Sequence, residues 1–401
     1  MKVLVLNCGS SSIKYQFIDT TEKFALAKGV VERIGMSSAV LSHNRHDGDG
    51  IKIVGEILDH TIAIEYVLGV MLSKNHGVID DKDDIEAVGH RVVHGGETFS
   101  GSVLITDEVI QGLQDNIELA PLHNPPNLKG IQAVKRILPG TPQVAVFDTA
   151  FHTQMPAKAF LYGIPYELYK KYKIRRYGFH GTSHLYVSRK AAEILGKNIE
   201  DLKIITAHLG NGCSMAAVKN GKSVDTTMGF TPLEGLLMGT RSGDMDPWLI
   251  LYIMGKEGLS LNEANTLLNK HSGLIGISGE SSDMREIVAA MNEGHKRSKY
   301  AFDIFTYRVK KYLGAYAAAM GGLDAFVFTG GIGENSAEVR AEICKDLEFM
   351  GIELDEERNK NKEELISKDS SRIPVLRIPT NEELVIAMDT SQIVEEIKVH
   401  N

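Results

Sequence analysis

The chain has 401 residues, 43% of them hydrophobic and 24% charged, with 44 Lys and Arg against 52 Asp and Glu for a net charge of −8. That mix excludes a disordered chain and a surface built to attract nucleic acid or anionic membranes, so an anionic substrate has to be drawn in locally. The length exceeds one ordinary core, which predicts two domains with a site in the cleft between them.

The opening MKVLVLNCG carries one lysine and an apolar run too short for a leader or a membrane span, and the expectation is a cytoplasmic protein. Its first buried strand, KVLVLN, ends in the glycine-serine turn NCGSSSIK (7–14). Strand-like runs follow at IEAVGHRVVH and QVAVFDT, then the helix-like SHLYVSRKAAEILG, the strand LKIITAHL and the helix-like MDPWLILYIMGKEG and KYAFDIFTYRVKKYLGAYAAAM. After the strand DAFVFTGG, residues 352–370 read as a charged, exposed insertion, and IPVLRIP leads into TNEEL. Strands alternating with helices predict an α/β fold. Cys8, Cys213 and Cys344 lie far apart with no CxxC pair, which speaks for small packing residues rather than a disulfide frame or a structural zinc site.

At an offset of 201, Leu6-Asn7-Cys8-Gly9-Ser10-Ser11 falls on Ala207-His208-Leu209-Gly210-Asn211-Gly212. A strand and glycine turn repeated at the half-length predicts a duplicated domain. Three such turns follow strands, NCGSSSIK, HLGNG (208–212) and GGIGEN (330–335). Glycine lets backbone N–H groups approach phosphate, so three turns suggest a nucleotide held from several sides. GxxxxGK[ST] fails at MAAVKNGKS, where Ala216 takes the first position, and no GxGxxG opens a helix. The GKS at 221–223 reads as a hairpin turn.

Histidine, arginine and aspartate gather beside small residues in GHRVVHGGE (89–97), LAPLHNPPN (119–127), VFDTAFH (146–152), GFHGTSH (178–184) and MGTRSGDMDP (238–247). Taken singly, His90, His94 and His152 read as structural. Arg91, His123, His180 and Arg241, all in glycine- or proline-punctuated loops, instead suit an anionic transition state, to which arginine brings a permanent forked donor. No HExxH, HxH or GxSxG is present, which argues against a metal hydrolase or a serine hydrolase.

Together VLVLNCGSSSIKYQ, GHRVVHGGE, YGFHGTSH, AHLGNGCSM, TMGFTPLEGLLMGTRSGDMDP, FTGGIGEN and IPTNEEL closely resemble the acetate kinase family from residue 3 to about residue 389. The resemblance implies duplicated actin-like (ribonuclease H-like) ββαβαβα domains with a nucleotide cleft between them, of the superfamily shared by sugar kinases, actin and heat-shock ATPases. The expected division is 1–150 plus 384–401, and 151–383. It implies reversible transfer of the ATP γ-phosphoryl group to acetate, giving acetyl phosphate and ADP, with Mg2+ (or Mn2+) as cofactor, and a homodimer without nucleic-acid or membrane partners.

By the same resemblance Arg91 would hold the acetate carboxylate, and Val93, Leu122, Phe179 and Pro232 would wall its methyl group. Arg241 and His180 would stabilise the transferring phosphoryl group, with His123 also in contact and Asp148 beside them as a proton acceptor or an orienting group. Ser10, Ser12 and Lys14, with His208, Leu209, Gly210, Asn211 and Gly212, would face the ATP phosphates. Asp283, Met284 and Arg285 would face the adenosine, and Gly331, Ile332, Gly333, Glu334 and Asn335 the adenine and ribose side. Asn7 and Glu382 would serve the metal, Asn7 through water, with Glu383 left as an alternative to Glu382. Two other readings stay open: a propionate or butyrate kinase of the same mechanism, and an actin- or chaperone-like ATPase.

Overall fold

The structure is a computed structural model and describes residues 1–121 and 123–400. The chain divides into Met1–Ala150 with Asn381–Asn401, and Phe151–Thr380. The return comes before the expected 383/384 because the helix Glu382–His400 belongs to the first unit's core. There its Ile386, Ala387 and Val394 are buried with Val3, Val5, Ala87, Val144 and Val146. Glu382 and Glu383 therefore go with the first unit.

The first unit is built on an eight-stranded sheet: β1 (Lys2–Cys8), β2 (Ser12–Asp19), β3 (Phe24–Glu32), β4 (Ala39–Arg45), β5 (Gly50–Gly55), β6 (Ala87–Val92), β7 (Val103–Leu104) and β8 (Gln143–Phe147). Its order is β5-β4-β3-β2-β1-β6-β8-β7. The face opposite Glu382–His400 is covered by the helices His60–Met71 and Asn124–Ile137, whose Ile64, Val67, Ala133 and Val134 are buried with Leu4, Leu6 and Ile13.

The second unit has β9 (Lys203–Leu209), β10 (Cys213–Lys219), β11 (Lys222–Thr226), β12 (Ala325–Thr329) and β13 (Val375–Arg377), in the order β11-β10-β9-β12-β13. Set beside β3-β2-β1-β6-β8, this is the same wiring. Each copy opens with an antiparallel hairpin, β1–β2 or β9–β10, and continues through parallel pairs, β1–β6–β8 or β9–β12–β13. β1 and β9 begin and end 201 positions apart, so the repeat seen in the sequence is one of backbone register. The helix Gly181–Ile194 packs its Val187 and Ala191 on one face of this sheet, and the long helix Lys296–Met320 packs against β9 and β10.

The GKS segment does form a hairpin, with Asn220 (φ 54°) and Gly221 (φ 74°) both left-handed, as a two-residue turn between twisted strands requires. The three cysteines are free and buried, their thiols pushed up to about 12 by burial. Two expectations are revised. The meander β3–β4–β5 extends the first sheet beyond the copied core. Residues 352–370 are not simply an exposed insertion: Ile352 and Ile366 are fully buried, the bridge Leu354–Ser367 folds the segment on itself, and the bridge Leu365–Leu376 joins it to β13. Its charges sit on one side of a segment whose spaced apolar residues fill the core.

Candidate active site

In the first unit the parallel strands β1, β6 and β8 end together, as strand ends of open α/β sheets do around ligands. Asn7, near the end of β1, is the cross-strand partner of Lys14 on β2. The turn between them closes with Gly9 N–H donating to Ser12 O at 2.8 Å, and His60 Nε2 lies 2.7 Å from Gly9 O. Asn127 ties this end to the next strand: its amide donates to Cys8 O (3.0 Å) and accepts from Val93 N–H (3.3 Å). Asn124, the residue after His123, donates to His94 O, the residue after Val93. Val93 and His123 are thus delivered by segments bonded to each other. Leu122 lies outside the described residues.

Arg91 leaves β6 with its Nη2 3.1 Å from Asp148 Oδ2 and its Nε 3.9 Å from Glu382 Oε2. Asp148 is almost fully buried just past β8, and its N–H donates to Val92 O at 2.9 Å. Burial opposes the charge on Arg91, but Asp148, Glu382 and Glu383 outweigh it and raise the guanidinium pKa. Burial, then the neighbouring Asp148 and Glu383, push the Glu382 carboxyl up to about 7 against the pull of Arg91 and Lys14. Glu382 rather than Glu383 meets Arg91, so it is the carboxylate this unit turns toward the cluster. No group of three or more His, Cys, Asp or Glu placed to hold a metal occurs among the described residues. A single carboxylate, with a neutral Asn at the end of β1, fits Mg2+ held mostly by water and phosphate oxygens rather than a cage of protein ligands.

Burial also lowers the His90 and His94 pKa values to about 4. A base depressed below its unfolded value of about 6.5 takes its proton on unfolding, so stability is full above pH 6.5 and falls toward pH 4. Glu382, raised to about 7, works in the opposite sense between about 4.5 and 7. His43 is lowered in the same sense, so three histidines act against one glutamate and the first unit loses stability as the pH falls below 6.5. Urea unfolding of the first unit at pH 7.5 and pH 5 reads this directly, and a higher stability at pH 5 would contradict it.

In the second unit His180 has left-handed backbone (φ 54°) at the start of the helix Gly181–Ile194. Its ring stacks on His208 with centroids 4.2 Å apart. His180 Nδ1 lies 2.9 Å from Ser214 Oγ, which lies 2.7 Å from His184 Nε2, and His184 Nδ1 is 2.7 Å from Thr206 Oγ1. Burial, with His152 and His208 nearby, holds His184 far below its usual range and therefore neutral. The HLGNG turn brings Gly212 against this array: a Cβ there would stand 3.5 Å from His180 Cε1 and 3.6 Å from Arg241 Nη1. His180 and Arg241 thus face the same glycine. Burial lowers the Arg241 pKa; its Nη1 donates to Pro232 O at 3.3 Å, and no carboxylate pairs with it among the described residues. A buried guanidinium without a counter-anion is prepared for an anionic ligand.

Gly210, Asn211, Asp283, Met284, Arg285, Gly331, Ile332 and Asn335 line one cavity of about 890 Å³, large enough for a nucleoside. Asp283 caps the helix Met284–Asn292 and chelates the Arg285 guanidinium. Other expected residues are placed differently. Leu209 is buried in β9, and Gly333 contributes its carbonyl to Arg340 Nη1 at 2.9 Å. Glu334 turns its carboxylate to Gly330 N–H (2.9 Å) and Thr380 N–H (3.1 Å), which holds the turn rather than lining the cavity. Gly330 (φ 77°) has Leu209 backbone where a side chain would start, so the turn requires glycine. Phe179 and Pro232 belong to this unit, and Val93 to the first. Sequence reasoning missed Ser282, Ser336 and Lys362 on the cavity wall, Lys362 because it falls in the segment read as an exposed insertion.

A twofold strand pattern ending in phosphate-type turns, with a nucleoside-sized cavity and buried arginines, defines an α/β nucleotide-dependent phosphotransferase of the actin-like superfamily of sugar kinases, Hsp70 chaperones and actin. Within it the chain belongs to the acetokinase family, whose model matches residues 2–388. It is 59% identical over 401 residues to the acetate kinase of Thermoanaerobacterium thermosaccharolyticum, covering 99% of this chain and 100% of the relative. The crystal structure of Porphyromonas gingivalis acetate kinase superposes with a TM-score of 0.95 at 50% identity, covering 98% of this chain and 99% of that one. A propionate kinase from Francisella tularensis follows at 0.91 and 44%, with the same coverage.

Proposed function

We propose that the chain transfers the γ-phosphoryl group of ATP to acetate, reversibly and in line, giving acetyl phosphate and ADP. Family membership over nearly the full length supports the activity, and the observation that carries the mechanism is the convergence of His180 and Arg241 on Gly212. Acetate is a carboxylate at neutral pH and needs no general base. One of its oxygens attacks the γ-phosphorus as the bond to the β-phosphate oxygen breaks, and charge spreads over the three equatorial oxygens. Arg241 and His180 bind those oxygens, with His123 as a further contact. Arg91 binds the acetate carboxylate. Asp148, engaged with Arg91 at 3.1 Å, orients that guanidinium rather than accepting a proton.

Asn7, Ser10, Ser12 and Lys14 receive the phosphates and metal in the first unit, and the 208–212 turn receives phosphates in the second. The 890 Å³ cavity takes the adenosine. Glu382 and, through water, Asn7 would hold the Mg2+, which when bound would supply charge neutralisation to the phosphates. The two units are the two copies of the duplicated domain.

Val93, Phe179 and Pro232 wall the acyl group. One methylene changes binding by ~1–3 kcal/mol in an apolar pocket, so kcat/KM should fall from acetate to propionate to butyrate. A higher value on propionate would favour the propionate kinase reading, which the 44% identical relative keeps open.

No helix among the described residues is long and apolar enough to cross a membrane. We place the enzyme in the cytoplasm, as its free cysteines suit a reducing compartment. It works as a homodimer in this reading. The helix Pro247–Glu257 buries none of its own residues yet exposes Trp248, Leu249, Leu251 and Tyr252, a larger apolar face than a lone monomer normally presents. Leu251→Glu should convert the dimer to monomer in sedimentation; an unchanged sedimentation coefficient would move the interface elsewhere.

A further inference from the structure

Residues 227–245 contain no helix or strand, yet they carry both Pro232 and Arg241. What holds this loop is a partly buried set of side chains that the phosphoryl-transfer chemistry does not itself use. Arg176 Nη1 donates to the carbonyls of Thr226 and Thr227 (both 3.0 Å) and Met228 (3.4 Å), and its Nη2 donates to Glu234 Oε1 at 2.5 Å. The other Glu234 oxygen accepts from the Tyr162 hydroxyl, and the Tyr162 oxygen accepts from Phe230 N–H at 2.8 Å. Gly229 lies against this pair with no room for a side chain. At the far end Asp244 closes the loop: its carboxylate accepts from Gly235 N–H (2.8 Å) and its own N–H donates to Gly235 O (2.9 Å).

Two connections lead from this clamp to the reacting groups. Pro232 lies between Phe230 and Glu234, the two residues Tyr162 grips, and its carbonyl accepts from Arg241 Nη1 at 3.3 Å. That neutral carbonyl holds the guanidinium by a hydrogen bond, so a shift of Pro232 re-aims Arg241. The second connection runs to His180. Tyr177 and Gly178 N–H both donate to Gly229 O (3.1 and 3.2 Å), so the segment that leads from Arg176 into Phe179 and His180 hangs on the same turn. Arg176 belongs to one of these segments and Glu234 to the other, and their ion pair joins the two.

We infer that Glu234, held by Arg176 and Tyr162, is a positioning residue that fixes Arg241 against Gly212 for the phosphoryl group. The inference rests on the kinase reading above. Glu234 acts through the aim of Arg241, so its loss appears in kcat, and disappears when Arg241 is already gone. A residue that merely stabilises the fold would lower turnover by the same factor in either background.

The test is a double-mutant cycle of Glu234→Gln with Arg241→Ala on the full chain, measuring kcat and both KM values. Glu234→Gln should lower kcat about tenfold with KM for ATP within about twofold, and should lower the residual turnover of Arg241→Ala by less than about twofold. Tyr162→Phe, which removes one hydroxyl, should give about a threefold loss with the same non-additivity, and it carries the cycle if Glu234→Gln does not fold. Equal fold-losses in both backgrounds, an effect confined to KM for ATP, or no effect overturn the inference. Absence of acetate-dependent turnover in the unmodified chain overturns the kinase reading itself, an outcome distinct from any of these.

Discussion

Arg241→Ala should lower kcat by about 10²–10³-fold and leave KM for ATP nearly unchanged, because the guanidinium meets charge that exists only as the phosphoryl group transfers. Among the described residues this arginine meets no carboxylate, and its hydrogen bonds go to the Pro232 carbonyl and the Met238 sulfur, while burial works against its charge. That arrangement is unfavourable in the free protein. It becomes favourable when an anion arrives beside Gly212, with His180 Nε2 as the second donor. Because Arg241 has no buried acidic partner to strand, its removal should cost little stability, and the melting temperature should stay within a few degrees. Steady-state kinetics with saturating acetate decide the matter: a rise in KM for ATP with kcat intact would make Arg241 a ground-state binder.

Arg91→Ala should behave in the opposite way, damaging stability as well as substrate binding. It removes the cation between Asp148 and Glu382, two buried carboxylates. Breaking a buried pair by deleting one partner costs about 3–5 kcal/mol, since the remaining charge keeps its desolvation penalty. For a unit of this size that amounts to a melting temperature lower by roughly 10 °C. Glu382, already raised to about 7, would take up a proton more readily without Arg91. The penalty should therefore be greater at pH 8 than at pH 6, where protonation relieves the repulsion. KM for acetate should rise about a hundredfold through loss of the charge-assisted bonds to its carboxylate. Adding Asp148→Asn should recover much of the stability and none of the acetate binding. Calorimetry at the two pH values tests the first half, and an unchanged melting temperature at pH 8 would show that the pair is not coupled as described.

The duplication was legible because its signal is local: an apolar strand and a glycine turn sit at the same offset in both copies, and the backbone reproduces that offset. Arg91, His180 and Arg241 stood out for the same reason, as charged residues among glycines that a mere turn does not need. Other features depend on partners far away in the chain and left no local trace. The Glu334 carboxylate looked like part of a nucleotide turn, but its place is set by Thr380, which also binds Ser183. Residues 352–370 misled through their charge, while Ile366 is buried where its N–H donates to Val375 O of β13 and Leu365 bridges Leu376. Which of Glu382 and Glu383 meets Arg91 depends on how the first turn of the helix Glu382–His400 aims its side chains, and it is Glu382 that does. Glu234 sits inside a motif that the sequence singled out, yet its role depends on Tyr162 and Arg176, which the sequence places 72 and 58 positions away.

The central claim is that this cluster moves a phosphoryl group onto a small carboxylate, and the most direct measurement is ADP release from ATP by the purified chain with and without acetate. The account predicts that release depends on acetate and that acetyl phosphate, trapped as its hydroxamate, accumulates in equal amount. ADP release indifferent to acetate would contradict it and point to an ATPase of the actin or chaperone kind.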